Sequence, residues 1–529
     1  MVEQAIGRRL EGRAAFAPGP RPGDVTVELA RPEDLPAAAA ELVGPLGMAL
    51  ATVVATDDDR ALTVRYLFEP ARPPFEDRFV TLVVSLPPER PDVPSLARDI
   101  PAANWHEREA RDLLGVVAVG HPDPRPLVLH DGWPRGLHPL RKSFDGRRAV
   151  TREPAEEFPH LVVEGEGVFE IPVGPIHAGI IEPGHFRFSS VGETVLHLEA
   201  RLFYTHRGLE KRIEGLSAVD GFFVAERMCG VCSVAHGLGY CEAVEQIAGI
   251  VAPPRAQLVR AIALELERLY NHAGDIGNLC AGASYHYGTS AGLRIKEALQ
   301  RTNERVAGNR FLRGWLCPGG VQRDLAPDVL RDIEAVLREA EDALADLTQR
   351  IDGNPTVVDR FDDTGLLPRQ AAIDLGATGV AARASGVDRD ARRDHPHAAY
   401  AGAGAVRPRV VTLEDGDVNA RRKLREEEAH ESIRLIRELA ARLEPGPLRA
   451  PLPDALPAGK IGLAATESPR GSSIHWLRSD ARGRIDRYHL RSASYANWPA
   501  VPIAAQSAIV PDFPLVNKSF ELCYACTDR

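Results

Sequence analysis

Two Cys-x-x-Cys pairs constrain this sequence most, one near the middle of the chain and one in its last seven residues. The first pair is Cys229 and Cys232, and the second is Cys523 and Cys526. Together they offer four soft thiolates, which is enough to hold a metal centre. If both pairs bind one metal, the final segment must return to the middle of the fold, because much of the chain lies between them.

The first pair lies at a predicted helix start. Val234, Leu238 and Cys241 follow it at helical spacing. Cys232 and His236 are four residues apart, so they share one face of that helix. A helix N-terminus also favours a thiolate. On these residues alone, a structural zinc site, an iron–sulfur site and a catalytic nickel centre all stay open, whereas no thioredoxin-like pattern supports a dithiol redox pair.

Length and composition indicate a globular protein of at least two domains, with 529 residues and a formal net charge of −10. That charge argues against a nucleic-acid partner. The odd cysteine count and an N-terminus without an apolar signal segment predict a reducing compartment. No run approaches the roughly 20 apolar residues that span a bilayer. We therefore expect any membrane association to come through partner subunits.

Residues 1–150 are predicted to form a separate α/β docking domain without a ligand cluster of its own. Apolar alternation at 48–55, 61–68 and 79–86 predicts an antiparallel meander, and an amphipathic helix follows at 105–115. His106, His121 and His138 show no metal-ligand spacing, and we interpret them as surface or turn residues. Residues 151–168 are polar and predict a linker.

Residues 169–529 predict a large, mainly α-helical domain with small β elements, so the fold class is α+β. Three long helices are predicted at 256–275, 333–347 and 417–443, and their charge runs are interpreted as solvated faces. Candidate strands lie at 169–186, 195–203, 460–465 and 504–510. The remaining cysteines, Cys241, Cys280 and Cys317, are isolated and interpreted as buried apolar thiols. We therefore predict no iron–sulfur cluster in this chain.

Two more residues are candidates for chemistry. Arg470 lies in Pro-Arg-Gly, and the simplest interpretation is a turn in which it pairs with Glu467. Glu182 lies in an apolar segment, and Pro183 restricts its backbone to an extended conformation. Burial can raise the pKa of such a carboxyl towards neutrality and suit it to proton transfer. The alternative for Glu182 is a structural salt bridge to a nearby arginine such as Arg187.

The motifs resemble a known family. Arg227-x-Cys229-Gly-x-Cys232-x-x-x-His236, together with Cys523-Tyr-Ala-Cys-Thr-Asp-Arg529, resembles the large subunit of [NiFe]-hydrogenases. The tail is similar to that of the membrane-bound, energy-converting (group 4) type, which includes the formate hydrogenlyase large subunit. The 105–115 segment resembles the complex I 30 kDa subunit, and Gly174-Pro-x-His177 resembles an element shared with the complex I quinone-site subunit.

This resemblance implies interconversion of protons, electrons and molecular hydrogen at a nickel–iron centre. Cys229 and Cys523 would be terminal ligands of nickel. Cys232 and Cys526 would bridge nickel to an iron that carries cyanide and carbon monoxide. His236 would donate towards the centre, Arg470 would lie beside the metals, and Glu182 would pass protons. The sequence departs from the common pattern where Glu521-Leu522 replaces Asp-Pro.

The resemblance also implies partners and a location. The partners are an iron–sulfur small subunit like the complex I 20 kDa subunit, a ferredoxin-like electron-transfer subunit and membrane antiporter-like subunits. A formate dehydrogenase and a maturation endopeptidase that cleaves after Arg529 are further expected partners. The location would be peripheral, on the cytoplasmic face of the cell membrane.

Two alternatives remain on the sequence alone. The first is a complex I-like NADH-quinone oxidoreductase chain of the fused C/D type, which would shape a quinone site, but such chains have lost the thiolates. The second is a non-catalytic scaffold, which would hold a structural zinc.

Overall fold

The computed structural model describes residues 2–58, 60–72, 77–155, 157–177, 181–402 and 404–529. The first part contains α1 (Val2–Leu10), β1 (Ala14–Pro18), β2 (Val25–Leu29), α2 (Leu35–Val43), β3 (Met48–Asp57), β4 (Leu62–Pro70), β5 (Val80–Leu86), β6 (Asp92–Pro94), α3 (Ala103–Leu114) and β7 (Val117–Val119). Five of these strands form a sheet in the order β1-β2-β5-β4-β3. The predicted meander is confirmed in β3, β4 and β5, which pair antiparallel.

The predicted amphipathic helix is α3, which ends at Gly115 with φ 79°. The interpretation of His106 as a surface residue is wrong, because its side chain is buried and its ring lies 5.0 Å from that of Tyr495. The face of α3 that carries it is covered by residues from the end of the chain. His121 and His138 are half-buried, and each hydrogen-bonds to a main-chain carbonyl oxygen.

After α3 and β7, residues 120–155 and 157–167 form turns and loops. The second part then begins with a sheet in the order β10-β9-β8. Its elements up to residue 361 are β8 (Val168–Val173), β9 (His185–Val191), β10 (Thr194–Arg201), α4 (Leu209–Ile213), α5 (Ala218–Ala225), α6 (Ser233–Ala248), α7 (Pro254–Gly282), α8 (His286–Ala307), β11 (Leu316–Cys317), β12 (Gly320–Val321), α9 (Pro327–Asp352) and α10 (Pro355–Phe361).

The remaining elements enclose the region where the chain ends. They are α11 (Arg369–Asp374), α12 (Gly379–Arg383), α13 (Ala391–Asp394), α14 (Val418–Ala441), β13 (Ile461–Ser468), β14 (Gly471–Ser479), β15 (Ile485–Arg491), α15 (Ala493–Asn497), α16 (Ala500–Ala505), α17 (Phe513–Phe520) and α18 (Tyr524–Asp528). The three predicted long helices are confirmed as α7, α9 and α14, and the predicted strand at 460–465 is confirmed as β13.

The strand predicted at 504–510 is wrong. Ala504 and Ala505 instead end α16, and Ser507 follows in a left-handed conformation with φ 66°. Both alanines are buried. A short apolar run fits a buried helix end as well as a strand, so periodicity does not separate the two.

The charge run of α14 is also not a solvated face. Arg421, Arg422, Arg425, Glu428 and Glu431 are all buried. Buried charges persist when they are paired and hydrogen-bonded. The carboxylate of Glu428, for example, accepts hydrogen bonds at 2.6 Å from arginines on α7 and α12.

The N-terminal sheet packs directly on the rest of the protein. Four buried residues of the first part contact four of β13 and β14, namely Ala51, Val54, Leu67 and Phe79 against Leu463, Ala465, Ile474 and Trp476. A second shared cluster runs from α1 to the tail and includes Tyr524. Among the described residues, no helix combines the length and the apolar character that crossing a membrane requires.

The buried pairing of α14 leads to a stability prediction. We expect Glu428→Ala to destabilise the protein by ~3–5 kcal/mol, because it leaves the Arg268 and Arg383 guanidinium groups buried without this partner. The matched control is Glu427→Ala on the exposed face of the same helix, expected within ~0.5 kcal/mol of wild type. Denaturant titration followed by circular dichroism measures both. Equal midpoints for the two variants would contradict this interpretation of α14.

Candidate metal centre

The first cysteine pair spans the turn that leads into α6. Cys232 lies at the N-cap position of this helix, which confirms the predicted helix start. The main-chain N–H of Cys232 points at the Cys229 sulfur, 3.2 Å away, and the hydroxyl of Ser233 donates to the Cys229 carbonyl at 3.0 Å. These bonds fold the Cys-x-x-Cys turn so that both sulfurs face the same side.

A carboxylate from α7 completes the start of α6. Glu267 accepts hydrogen bonds from the main-chain N–H groups of Val234 and Ala235, at 2.6 and 3.0 Å. Helix N-termini leave such groups without partners inside the helix. Burial raises the pKa of Glu267 to about 8. Sequence reasoning missed this residue, although a carboxylate in the apolar run of α7 was a usable signal.

The second pair returns to the first. α17 ends at Phe520, and Glu521 follows with a φ of 52° that turns the chain. The next helix, α18, carries Cys526. The Sγ atoms of Cys526 and Cys229 lie 2.9 Å apart. Asp528 fixes this segment, because its carboxylate accepts hydrogen bonds from the N–H groups of Phe203 and Thr205, both at 2.9 Å. The expectation that the tail returns to the middle of the fold is confirmed.

The result is a buried cluster of sulfur and imidazole donors. The ligand atoms of Cys229, Cys232, His236 and Cys526 all lie within 4.8 Å of one another. His236 Nε2 is 3.1 Å from the Cys526 sulfur. The fourth thiol, Cys523, interacts with those of Cys229 and Cys526.

The donor set of this cluster suits a soft metal. All of its donors are thiols or imidazole, which is the chemistry that nickel, iron and zinc accept. Contact with the Cys229 thiol lowers the pKa of Cys232 to about 6, so this sulfur ionises readily. The residues present therefore fit a nickel–iron centre by their number, burial and type.

Glu182 lies next to the cluster. Its carboxylate accepts a hydrogen bond from the N–H of Ala525 at 3.0 Å and lies 3.9 Å from the Cys523 sulfur. Burial and the nearby Cys523 raise the pKa of Glu182. The alternative salt bridge to Arg187 is wrong, because that guanidinium donates to Glu170.

Arg470 is buried and pairs with Asp275 on α7, to which its Nη2 donates at 3.0 Å. Although burial opposes it, this carboxylate raises the pKa of Arg470. The alternative pairing with Glu467 is wrong, since Glu467 accepts a hydrogen bond from Arg383 at 2.9 Å. Asp275 was also missed from the sequence; an acidic residue in a buried stretch of α7 was the only signal.

Three known families match parts of the chain. Residues 29–150 match the respiratory-chain NADH dehydrogenase 30 Kd subunit. Residues 207–280 match the nickel-dependent hydrogenases, and residues 287–462 and 454–529 match the respiratory-chain NADH dehydrogenase 49 Kd subunit.

Full-length relatives decide between these families. Formate hydrogenlyase subunit 5 of Escherichia coli K12 is 36% identical over 458 residues, which covers 85% of this chain and 79% of the relative. The chain belongs to the [NiFe]-hydrogenase large subunits of the membrane-bound, energy-converting group. Hydrogenase-4 component G of the same organism is 34% identical over 443 residues, which is 83% of this chain and 76% of the relative.

A solved structure supports the fold of this large subunit. One chain of the membrane-bound sulfane sulfur reductase, an archaeal respiratory membrane complex, superimposes with a TM-score of 0.64 at 24% identity. The match covers 69% of the hydrogenase chain described here and 99% of the reductase chain.

The contact between the two pairs predicts a specific cross-link. When the metal-free protein is oxidised mildly, we expect a disulfide between Cys229 and Cys526, since their sulfurs are 2.9 Å apart. Cys280 is the control, because burial raises the pKa of its thiol to about 12 and makes it unreactive. Peptide mass spectrometry under non-reducing conditions reads the result. If Cys526 formed disulfides with Cys280 as readily as with Cys229, the described geometry would be contradicted.

Proposed function

We propose that this large subunit is the catalytic subunit of a membrane-associated complex that interconverts protons and electrons with molecular hydrogen. The observation that carries the proposal is the return of Cys526 to within 2.9 Å of Cys229, which unites the two pairs in one buried cluster. Formate hydrogenlyase subunit 5 and hydrogenase-4 component G are members of this family. We propose that this protein works in a complex of the same type and acts there as an oxidoreductase on hydrogen.

In this proposal Cys229 and Cys523 would hold nickel. Cys232 and Cys526 would hold nickel together with an iron that carries cyanide and carbon monoxide. When bound, the nickel–iron centre supplies the redox site for hydrogen chemistry. The protein residues hold this centre, exclude water from it and move protons to its edge.

Glu182 is proposed to carry the proton. Its carboxylate lies 3.9 Å from the Cys523 sulfur, and its side chain is only half-buried. It can therefore exchange a proton with the cluster on one side and with groups nearer the surface on the other. Burial and the nearby Cys523 raise the pKa of the Glu182 carboxyl, so it holds a proton more readily than an exposed glutamate does.

Arg470 and His236 are proposed to act beside the centre. Arg470 is close enough to Cys232 for an electrostatic interaction, and Asp275 fixes its guanidinium. A guanidinium is a permanent cation, so it is suited to donating hydrogen bonds and not to abstracting protons. His236 Nε2 lies 3.1 Å from Cys526 and is placed to orient that sulfur.

The chain is proposed to work with several partner subunits. Electrons would arrive through an iron–sulfur small subunit like the complex I 20 kDa subunit and a ferredoxin-like subunit. Membrane antiporter-like subunits would anchor the complex on the cytoplasmic face of the membrane. Within this chain, residues 1–150 would dock it to partner subunits, and residues 151–168 would link them to the catalytic domain at 169–529. A formate dehydrogenase and a maturation endopeptidase complete the proposed set.

A complex I-like quinone subunit is the rival function. Such a subunit does not need thiolates, and here all four are present and buried. A scaffold with structural zinc would need the four thiols but not Glu182 against Cys523 or a fixed arginine beside Cys232.

The ligand assignment has a direct test in serine variants. We expect Cys→Ser at Cys229, Cys232, Cys523 or Cys526 to abolish nickel retention and hydrogen turnover, because a hydroxyl is a poor ligand for a soft metal. Cys241→Ser is the control, since this buried thiol lies outside the cluster. Elemental analysis and hydrogen evolution with a reduced viologen measure the two properties. Full nickel and activity in any of the four variants would remove that ligand from the assignment.

The proton role of Glu182 has a separate test. Glu182→Gln keeps the shape and the acceptor for the Ala525 N–H but removes the acidic proton. We expect nickel to stay bound while hydrogen/deuterium exchange activity falls by about 100-fold or more, within the range typical of general acid–base catalysis. Glu193→Gln, at an exposed turn, is the control and should behave as wild type. Exchange at the wild-type rate in Glu182→Gln would exclude this residue as the proton carrier.

A further inference from the structure

Arg529, the last residue of the sequence, has a buried side chain. Its guanidinium lies in a pocket made from three separate parts of the chain. Nη1 donates to the carboxylate of Glu210 on α4 at 2.9 Å and to the Leu490 carbonyl on β15 at 2.7 Å. Nη2 donates to the carboxylate of Glu109 on α3. The tip of the tail is thus bound by both the N-terminal part and the catalytic part.

The pocket is built for a planar cation. Two buried carboxylates face the guanidinium, and the ring of Tyr495 covers its face with 4.9 Å between the guanidinium carbon and the ring centroid. Although burial opposes it, Arg487 and Arg529 hold the pKa of Glu210 well below its usual range. The Glu210 carboxylate therefore stays ionised and favours a cation beside it.

The same pocket would attract a metal ion if the guanidinium left. The ligand atoms of Glu109, Glu210 and His489 lie within 4.8 Å of one another, and all three residues are buried. Without Arg529, Glu210 would keep Arg487, whose Nη1 donates to it at 2.8 Å, but Glu109 would lose its buried cationic partner, which is costly. The Arg529 side chain therefore fills a place that would otherwise need another positive ion.

The connection from this pocket to the cysteines is short and stiff. α18 carries Cys526, and the N–H of Arg529 donates to the carbonyl of Ala525 at 3.1 Å. The Thr527 hydroxyl bonds the Cys523 carbonyl at 2.9 Å. Movement of Arg529 is therefore transmitted through one helical turn to the cysteine pair.

Glu109 is the only member of this set that comes from residues 1–150. The groups that bind Asp528 and the Ala525 carbonyl come from residues 203–207 of the catalytic part. Further bonds to the tail come from Glu182, Ser492 and Ser494, which also belong to the catalytic part. Glu107, two residues before Glu109 on α3, accepts its hydrogen bonds from Ser95 and Leu96 inside the N-terminal part. Neighbouring glutamates of one helix thus serve different halves of the protein.

We propose that Glu109, Glu210, the Leu490 carbonyl and Tyr495 form a guanidinium-binding site whose ligand is the Arg529 side chain. Glu109 is the positioning residue through which the N-terminal part holds the cysteine tail against Cys229. This inference goes beyond the hydrogenase activity, and only its nickel readout rests on the proposed function.

The test of the ligand is chemical rescue of Arg529→Ala in the full chain within its complex. We expect the amides of residues 523–529 to exchange with deuterium roughly 100-fold faster than in wild type, since a buried ion pair has lost its cation. Millimolar methylguanidinium should restore most of the protection and the nickel content. The control is Arg260→Ala, which removes a buried arginine that pairs with Glu245 away from the tail. Methylguanidinium should not change the rate of tail exchange in this variant.

Two outcomes of the rescue would overturn the proposal. One is unchanged tail exchange in Arg529→Ala. The other is rescue by zinc or magnesium ions but not by methylguanidinium, which would make the pocket a metal site.

The role of the N-terminal part is tested by a matched pair on α3. Glu109→Gln should speed tail exchange by about 10-fold or more, because the charge-assisted bond to Arg529 is lost. Glu107→Gln should leave tail exchange at the wild-type rate. Equal tail exchange in the two variants would overturn the positioning role. Deuterium exchange measures the tail without reference to nickel. If the wild-type complex contains no nickel but the two variants still differ in tail exchange, the proposed function fails and the guanidinium site stands.

Discussion

The contact between Cys229 and Cys526 is the constraint on which the rest of the structure depends. It closes a loop of most of the catalytic domain, and loop closure of that length has an entropic cost that local bonds must offset. The tail meets this cost with ionic and hydrogen-bonded anchors. Asp528 binds the main chain at Phe203 and Thr205. Arg529 binds one carboxylate from the N-terminal part and one from the catalytic part.

Buried charges, in turn, fix the walls around the cluster. α7 and α14 present acidic and basic side chains to each other: Asp275 on α7 accepts a hydrogen bond from Arg425 on α14. Asp275 also accepts from Arg470, which lies in the turn before β14. Each pair loses hydration on burial, and the attraction between partners repays this loss only where the geometry is tightly matched. Removing one partner therefore leaves a buried charge with fewer partners to neutralise it. A site framed in this way keeps Arg470 in one orientation, as electrostatic preorganisation requires.

The sequence predicts what depends on local pattern. Periodicity predicts α3, α7, α9, α14 and the β3–β5 meander. The two Cys-x-x-Cys pairs lead to the expectation that the tail returns to the middle of the fold, whereas the ligand set comes from the family resemblance. Side-chain partners that lie far apart along the chain are not predictable from local pattern. The pairing of Arg470, in the turn before β14, with Asp275 on α7 is an example. The charge run of α14 looked solvated because its cover comes from other helices. The strand predicted at 504–510 was wrong because a short apolar run carries no period of its own.

Infrared spectroscopy of the purified complex tests most directly whether the two cysteine pairs hold one nickel–iron centre, because iron-bound cyanide and carbon monoxide absorb where protein groups do not. We expect cyanide and carbon monoxide stretching bands, together with one nickel per chain by elemental analysis. Zinc in place of nickel with no such bands, in a folded and fully assembled complex, would contradict this assignment.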